Sequence, residues 1–400
     1  MKTKPKVLVA MSGGVDSSVA ALIMKNHGFQ ILGVFMKNYS DSKNDFGECS
    51  WKDERKVAMQ IAAKLGIPLI TLDFEKQYKK LVIEKMFNDY KKGITPNPDI
   101  DCNQKVKFPL LIKAAKTLGC NFVVTGHYAR IKRVNAKNGK ISTWFTGAGG
   151  REAKRQSEKK IRYQLLRAKD ESKDQSYFLY RLKQEELRHL MFPIGNYTKK
   201  EIREIARKNK FENHDKKSTV GICFVGKVNL KKFLQKKIKP RKGKILSPEG
   251  KIIGEHDEIY YYTIGQRIGS RFGIEVSKND KDKSHVKRWY VARKIPKTNT
   301  IIAAPEGHHL LYRKEIFIKN PHWISGANGR GLEGGMKVLA RIRQVGELLP
   351  SRISGAGSLG VGGGRMKIVL NKEITGVSEG QAIVLYKGKK VLGGGEIRFK

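Results

Sequence analysis

The chain has 400 residues and a formal net charge of +44, from 81 Lys and Arg against 37 Asp and Glu. That length allows two or three domains that each bury a core, and so large a basic excess predicts a polyanionic partner, RNA first among them. No apolar stretch approaches the ~20 residues that span a bilayer, the N-terminal Met-Lys-Thr-Lys lacks a signal-peptide h-region, and the four cysteines include no Cys-x-x-Cys pair. A membrane anchor, a disulfide framework and a four-cysteine zinc site are therefore not expected, and the expected location is the cytoplasm.

The first 130 residues alternate strand and helix. Apolar residues 7–11 read as a buried strand, the loop 12–18 follows, and a helix begins near Val19. Strands at 31–36, 67–72 and 122–125 are separated by helical patterns at 51–65, 75–92 and 104–118. This alternation predicts a doubly wound parallel α/β sheet, which binds ligands at the carboxyl ends of its strands. That edge carries the loop 12–18, Met36-Lys37-Asn38 and Gly126-His127-Tyr128. Residues 134–160 break the pattern with glycines and a dense basic run, as a mobile surface insertion would. Thr198-Lys199-Lys200-Glu201 is a capping box that starts a further helix.

Near residue 213 the composition turns to short Gly-, Lys- and Tyr-rich segments, and from about 285 alternating runs at 289–292, 367–370 and 382–386 predict a small β-barrel-like domain. The expected domains are 1–213, 214–284 (central) and 285–400 (barrel), with glycine-rich hairpin tips at 326–335 and 355–364.

The loop 12–18 reads Ser-Gly-Gly-Val-Asp-Ser-Ser. Two glycines let backbone N–H groups close on an anion, and serines sit where the helix begins. The spacing is not that of a Walker loop. Asp16 adds a carboxylate suited to a magnesium ion on bound phosphates. Two cysteines also fall in suggestive places. Cys102 follows the proline-stiffened Thr-Pro-Asn-Pro-Asp-Ile-Asp, ahead of a helix expected near Gln104 whose N-terminus would lower a thiol pKa, with Lys105 and Lys107 to support a thiolate and Asp99 and Asp101 to oppose it. Cys223 lies in Gly-Ile-Cys-Phe, which reads as a tight bend. Cys49 and Cys120 match no catalytic pattern, and His256, His308 and His309 lack metal-ligand spacing.

The loop alone resembles the pyrophosphate loop of ATP pyrophosphatases, which split ATP between its α and β phosphates. In order along the chain stand Asn-Pro-Asp-x-x-Cys-Asn (97–103), Gly-His-Tyr (126–128), Lys-Asp-Gln-Ser-Tyr-Phe-Leu (173–179), Gly-Ile-Cys-Phe (221–224), Gly-Glu-His (254–256), Tyr-Thr-Ile-Gly-Gln-Arg (262–267) and Leu-Gly-Gly-Gly (392–395). Together they resemble the tRNA-specific 2-thiouridylases, the MnmA or TrmU family, from Val7 onward.

The resemblance implies that the oxygen at carbon 2 of a wobble uridine is adenylated by ATP and then replaced by sulfur, releasing AMP and pyrophosphate. It places ATP on Ala10, Met11, Ser12, Gly13, Gly14, Val15, Asp16 and Ser17, with Met36 and Gly126 lining the nucleotide. Asn97, Pro98 and Asp99 would meet the flipped-out base, with Asp99 as acid/base. Cys223 would carry a persulfide. Cys102 would either attack it, releasing hydrosulfide, or close a transient disulfide with Cys223. His127, Lys173, Asp174, Gln175, Arg341, Ile342 and Gln381 would contact tRNA, although Ile342 stands where the family has an aromatic residue. Ala10 stands where many members have glycine. ATP and magnesium are the implied cofactors, and tRNA and a persulfide donor, such as a cysteine desulfurase or a sulfur-relay protein, the implied partners. A monomer is expected. The rivals are an amidating ligase such as a GMP synthetase, which needs neither cysteine, and an RNA-binding protein that has lost catalysis.

Overall fold

A computed structural model describes residues 5–40, 50–135, 141–142, 161–216, 229–269, 288–325, 334–354 and 366–399. Cys49, Cys223 and most of 134–160, 326–335 and 355–364 lie outside the described residues, and with them the expectations placed there.

The N-terminal unit runs β1 (Lys6–Ala10), α1 (Val15–Asn26), β2 (Gln30–Lys37), α2 (Ser50–Leu65) and β3 (Leu69–Asp73). Next come α3 (Glu75–Tyr78) and α4 (Glu84–Lys91), joined by a π-helical turn, then α5 (Pro98–Cys102) and α6 (Phe108–Thr117), joined by a second π-helical turn at Asn103–Lys107. β4 (Phe122–Val124) is followed by the hairpin strands β5 (Ala129–Asn135), β6 (Ile141–Ser142) and β7 (Ile161–Arg167). The unit closes with α7 (Gln184–Leu187), β8 (Leu190–Met191) and α8 (Lys199–Lys208). Strands order as β3-β2-β1-β4-β8, all parallel. Val7, Leu8 and Val9 are fully buried, because helices cover both faces of the sheet. The expected capping box is present at α8: Thr198 accepts from the Glu201 N–H while Glu201 accepts from that of Thr198.

The expected start of a helix near Gln104 is corrected. Asn97 caps and Pro98 opens a helix that continues through the π turn to Thr117. An Asn cap followed by Pro at the first helical position is a strong start signal, so the helix begins six residues early and Cys102 lies inside it rather than before its N-terminus.

The middle unit holds α9 (Leu230–Gln235), β9 (Gly243–Leu246), β10 (Ile252–His256), β11 (Arg267–Ile268), β12 (Trp289–Ile295) and β13 (Thr300–Pro305), in sheet order β10-β9-β13-β12-β11. β12 and β13 were expected in the last domain. Their pairing with β9 and β11 places them here, so the break falls after Pro305 rather than at 285. Alternating strands look alike in either β unit, and only pairing separates them.

The last unit comprises β14 (Tyr312–Trp323), β15 (Lys337–Arg341), β16 (Leu349–Ser354), β17 (Met366–Thr375), β18 (Ala382–Lys387) and β19 (Lys390–Arg398). Their order β14-β17-β16-β15-β18-β19 closes through β14–β19 into a six-stranded barrel. The hairpin β5-β6-β7 of the first unit joins this sheet through Leu166 and Lys390, so the first and last units share hydrogen-bonded structure.

Candidate active site

The nucleotide half is built at the carboxyl edge of β1. Gly13 has φ +73°, and a Cβ there would lie 2.3 Å from the Glu54 carbonyl oxygen. Gly14 caps α1 without a side chain, so the first N–H groups of the helix face outward as an anion cradle. Ser17 and Ser18 donate to the Gly14 carbonyl at 2.9 and 3.1 Å, and Ser17 Oγ accepts from the Ser12 N–H at 3.1 Å. Asn213 ties the loop from α8's far side, donating to the Gly13 carbonyl at 3.1 Å and to Ser18 Oγ at 3.0 Å. Ala10 ends β1 half-buried, Ser12 is exposed, and Gly126 passes so close to α1 that a Cβ would sit 2.7 Å from Ser17 N. Met11, Val15 and Met36 are placed differently from a lining role. Their side chains are buried in the cores on either side of the sheet, which leaves only their backbone for a nucleotide.

Asp16 was expected to hold magnesium. Its carboxylate instead accepts from Lys199 Nζ at 2.7 and 2.8 Å and from the Tyr128 hydroxyl at 2.8 Å. Burial and the Asp16 charge both push the Tyr128 pKa up. A cation already neutralises this carboxylate, and among the described residues no three His, Cys, Asp or Glu side chains gather into a metal site. The donor set at Asp16 does not fit a protein-held magnesium ion.

The second half lies on the helix that Asn97 opens. Asn97 Oδ1 accepts from the Ile100 N–H at 3.3 Å, Pro98 is the first helical residue, and Asp99 and Cys102 are one turn apart on the same face. Asp101 is clamped by Lys105 at 2.9 Å and Lys85 at 3.1 Å. Lys107 donates to Asn103 at 2.9 Å and reaches His127 Nε2 at 3.5 Å. Both lysines expected to support the Cys102 thiolate thus have other partners. Cys102 is fully buried, in an apolar cluster with Tyr39, Tyr78, Val106 and, from α9 of the middle unit, Phe233. In this state the thiol faces packed side chains rather than solvent.

His127 is wedged between Phe108 and Phe192, with ring centroids 5.5 and 5.6 Å away. Burial and the Lys107 charge hold its pKa well below the ordinary imidazole value. The ring is therefore neutral near pH 7, accepting from Lys107 at Nε2 and donating to Thr125 Oγ1 from Nδ1 at 2.6 Å.

The remaining expected tRNA contacts converge on one junction, but most of their side chains face inward. Lys173 is exposed, as an RNA contact requires. Gln175 is half-buried, its side chain accepting from the Tyr128 N–H at 2.9 Å. Asp174 and Arg341 are 1% and 4% exposed and bond each other at 2.7 Å. Asp174 also accepts from the Ala168 N–H at 3.0 Å and Ser176 Oγ at 2.9 Å. Ile342 is packed in the barrel core, where an aliphatic side chain serves as well as an aromatic one. Gln381 spends both amide hydrogens on the Thr95 and Pro96 carbonyls, at 3.0 and 3.1 Å. The side chains of Asp174, Arg341, Ile342 and Gln381 are thus committed to the protein itself.

Sequence reasoning missed Lys199, Asn213 and Tyr177. Lys199 and Tyr177 each lay inside a motif already noted, as a capping box and in the 173–179 run, but their partners are too far along the chain for spacing to reveal. It also left Asn38 without a role. At the end of β2, Asn38 is 1% exposed with neither amide atom paired.

A family model described as a tRNA methyl transferase HUP domain matches residues 5–227, a tRNA methyl transferase PRC-barrel domain residues 231–305, and an aminomethyltransferase beta-barrel domain residues 313–397. The tRNA-specific 2-thiouridylase MnmA of Bacillus subtilis (strain 168) is 35% identical over 394 residues, 98% of this chain and 94% of that one. The chain belongs to the MnmA family. The MnmA of Methylobacillus flagellatus is 37% identical over 98% of this chain and 99% of its own length. The three matched segments coincide with the parallel-sheet unit, the middle sheet ending at Pro305, and the closed barrel. Among solved structures, a 4-thiouridine synthetase–RNA complex with bound ATP aligns over 58% of this chain and 50% of that chain, at 16% identity and a TM-score of 0.35, too distant to bear on the site.

Proposed function

We propose that this MnmA-family chain is a tRNA-uridine 2-sulfurtransferase that adenylates the wobble uridine at the carbon-2 oxygen and substitutes sulfur there. The observation that carries the reading is that the turn 126–127 bridges the two halves: Gly126 packs on the first turn of α1, and His127 accepts from Lys107 of the helix that bears Asp99 and Cys102. A uracil carbonyl is a poor electrophile with a poor leaving group, and transfer of AMP to its oxygen corrects both. The cradle N–H groups and Ser12 would hold the β and γ phosphates as they depart as pyrophosphate. Lys199, released from Asp16, stands near enough to offset their charge. Magnesium would arrive with the nucleotide's phosphates rather than on Asp16.

Asn97, Pro98 and Asp99 would receive the extruded base, whose unstacking from an anticodon loop costs only about a few kcal/mol. Asp99 would move the proton. Cys223 would bring sulfur as a persulfide from an external donor, its outer sulfur attacking carbon 2 while AMP leaves with the oxygen. Cys102 would then attack Cys223 Sγ of that adduct, closing the Cys102–Cys223 disulfide and releasing 2-thiouridine. In the alternative order Cys102 attacks the persulfide first, closing the same disulfide and expelling hydrosulfide, which displaces AMP at carbon 2. In both routes an external thiol reduces the disulfide. Cys102 is fully buried, so its attack needs the packing around it to open, and tRNA binding is the event that would open it. The basic excess would hold the RNA, so affinity should fall steeply with salt.

The test is nucleoside mass spectrometry of tRNA incubated with the protein, ATP, magnesium and a persulfide donor. The expected product has one uridine oxygen replaced by sulfur, distinct in mass from an added methyl group, with AMP released and with Cys223→Ser inactive. Ammonia-dependent AMP formation on a free nucleotide, with none on tRNA, would establish an amidating ligase instead.

A further inference from the structure

The barrel reaches back into the first unit at one place. The turn between β17 and β18 lies against residues 93–97, the segment leading into α5. Thr95 N–H donates to the Glu379 carbonyl at 2.9 Å, and Gln381 Nε2 donates to the Thr95 and Pro96 carbonyls at 3.0 and 3.1 Å. Between them Gly380, at φ +88°, lets the chains touch: a Cβ there would fall 2.2 Å from Ile94 Cγ2 and 2.7 Å from the Thr95 carbonyl oxygen. The turn is itself braced. Gly380 N–H donates to the Ile397 carbonyl at 3.0 Å, Glu379 Oε1 accepts from the Phe399 N–H at 2.7 Å, and Ser378 Oγ donates to the Ile264 carbonyl of the middle unit at 3.2 Å. On the other side, the buried Tyr177 hydroxyl lies 3.0 Å from the Ala382 carbonyl and 3.1 Å from that of Ile342. Burial is the chief cause that raises its pKa, partly offset by its hydrogen bond with the Ala382 carbonyl.

We propose that the Glu379-Gly380-Gln381 turn of the barrel is the positioning element for the base-receiving loop, with Gln381 as a positioning residue that sets Thr95 and Pro96, and through them Asn97 and Asp99. A primary amide has two N–H donors, and both are committed to this loop. Two consecutive residues, 95 and 96, are thus anchored by main-chain and side-chain bonds from the barrel, directly ahead of Asn97. Pro96 and Pro98 cannot supply backbone donors of their own, so this stretch lacks the local hydrogen bonds that would otherwise fix it. The barrel supplies them from more than 280 positions away in the sequence. Misplacing a catalytic loop by about 1 Å can cost on the order of a hundredfold in rate, which gives the turn its leverage. The inference rests on the proposed thiolation, in which Asn97 and Asp99 meet the base.

The experiment compares wild type with Gln381→Leu, which keeps the volume and removes both donors, and with Gly380→Ala. Amide hydrogen exchange over residues 94–101 is measured on the free protein, and single-turnover thiolation and affinity on tRNA. Exchange over 94–101 should rise in both variants; in Gln381→Leu the melting temperature should hold, whereas Gly380→Ala, strained at positive φ against residues 94 and 95, should also melt lower. At saturating tRNA the thiolation rate should fall at least about tenfold, with the dissociation constant changed by less than about twofold, the mark of a mispositioned reacting loop rather than lost binding. Unchanged exchange together with weakened tRNA affinity and an undiminished saturated rate would make Gln381 an RNA contact and overturn the proposal. Failure of wild type to thiolate would sink the proposed reaction instead, and the exchange comparison on the free protein still decides whether the turn fixes the loop.

Discussion

Lys294 on β12 shows how one side chain reports on the joint between middle unit and barrel. It is half-buried, donates to the Tyr262 carbonyl at 3.0 Å, and burial pushes its pKa down from 10.5 to about 8, opposed by the Glu379 charge. A depressed pKa means the folded state sheds the proton first. The stability tied to the neutral form is complete above the unfolded value near 10.5 and is lost as pH falls toward 8. At pH 7 the lysine is charged in both states, and its burial costs on the order of 2 kcal/mol. Lys294→Met should therefore be the more stable protein at pH 7 in urea unfolding, with its advantage shrinking steadily between about pH 8 and 10. A difference that stays flat across that interval would show that Lys294 is not the group titrating.

At the scale of elements, the packing of the turn after β4 on the first turn of α1 decides whether the cradle can exist. Gly126 passes so near that a Cβ would stand 2.7 Å from Ser17 N and 2.8 Å from the Asp16 carbonyl carbon, both main chain and unable to swing aside. Gly126→Ala should force α1 and its N–H groups apart from the loop, at about 1–3 kcal/mol of overpacking. The expected readout is a roughly ten- to hundredfold rise in KM for ATP, with tRNA affinity unchanged; a normal KM would mean the turn can retreat. Much of this was legible beforehand. Val7 to Met11 followed by Ser-Gly-Gly fixed a strand, a loop and a helix, because hydrophobic runs and glycines act locally. The start of α5 at Pro98 is also written locally, in the Asn cap followed by Pro at the first helical position. What no local pattern holds is pairing. Lys199 on Asp16 joins positions 183 apart, and the membership of β12 and β13 in the middle sheet depends on register with β9 and β11. The contact residues carried over from the family motifs gather at one junction of the first unit and the barrel, yet motif matching says nothing of which way a side chain points.

For the whole molecule, the Asp174–Arg341 pair is the buried bolt between the first unit and the barrel. Both side chains are nearly sealed, with side-chain exposures of 0% and 5%, and they bond at 2.7 Å. Ser176 Oγ bridges from Asp174 toward the Tyr386 hydroxyl at 2.9 and 3.3 Å, and the carboxylate also holds the Ala168 N–H. Breaking one partner of such a pair strands a buried charge and typically costs about 3–5 kcal/mol, whereas removing both charges together costs much less. Arg167 Nε also lies 3.7 Å from this carboxylate, so Arg341→Met, which leaves Asp174 one cation, should cost less than that in urea unfolding, and Asp174→Asn, which leaves both arginines without it, should cost the full amount. The double variant should recover a large part of the loss, giving a coupling well above the ~1 kcal/mol of an exposed pair. A surface RNA contact would behave differently: Arg341→Met would leave unfolding unchanged and weaken tRNA binding alone. The bolt also bears on the reaction. Asp174 and Arg341 flank Tyr177, whose hydroxyl is held by the Ile342 and Ala382 carbonyls beside Gln381, so loosening the two units should raise hydrogen exchange over 94–101 in the single variants. Removing both partners in the double variant should bring that exchange part of the way back down, in step with stability. If stability returns while the loop stays open, the domain joint and the base-receiving loop are uncoupled.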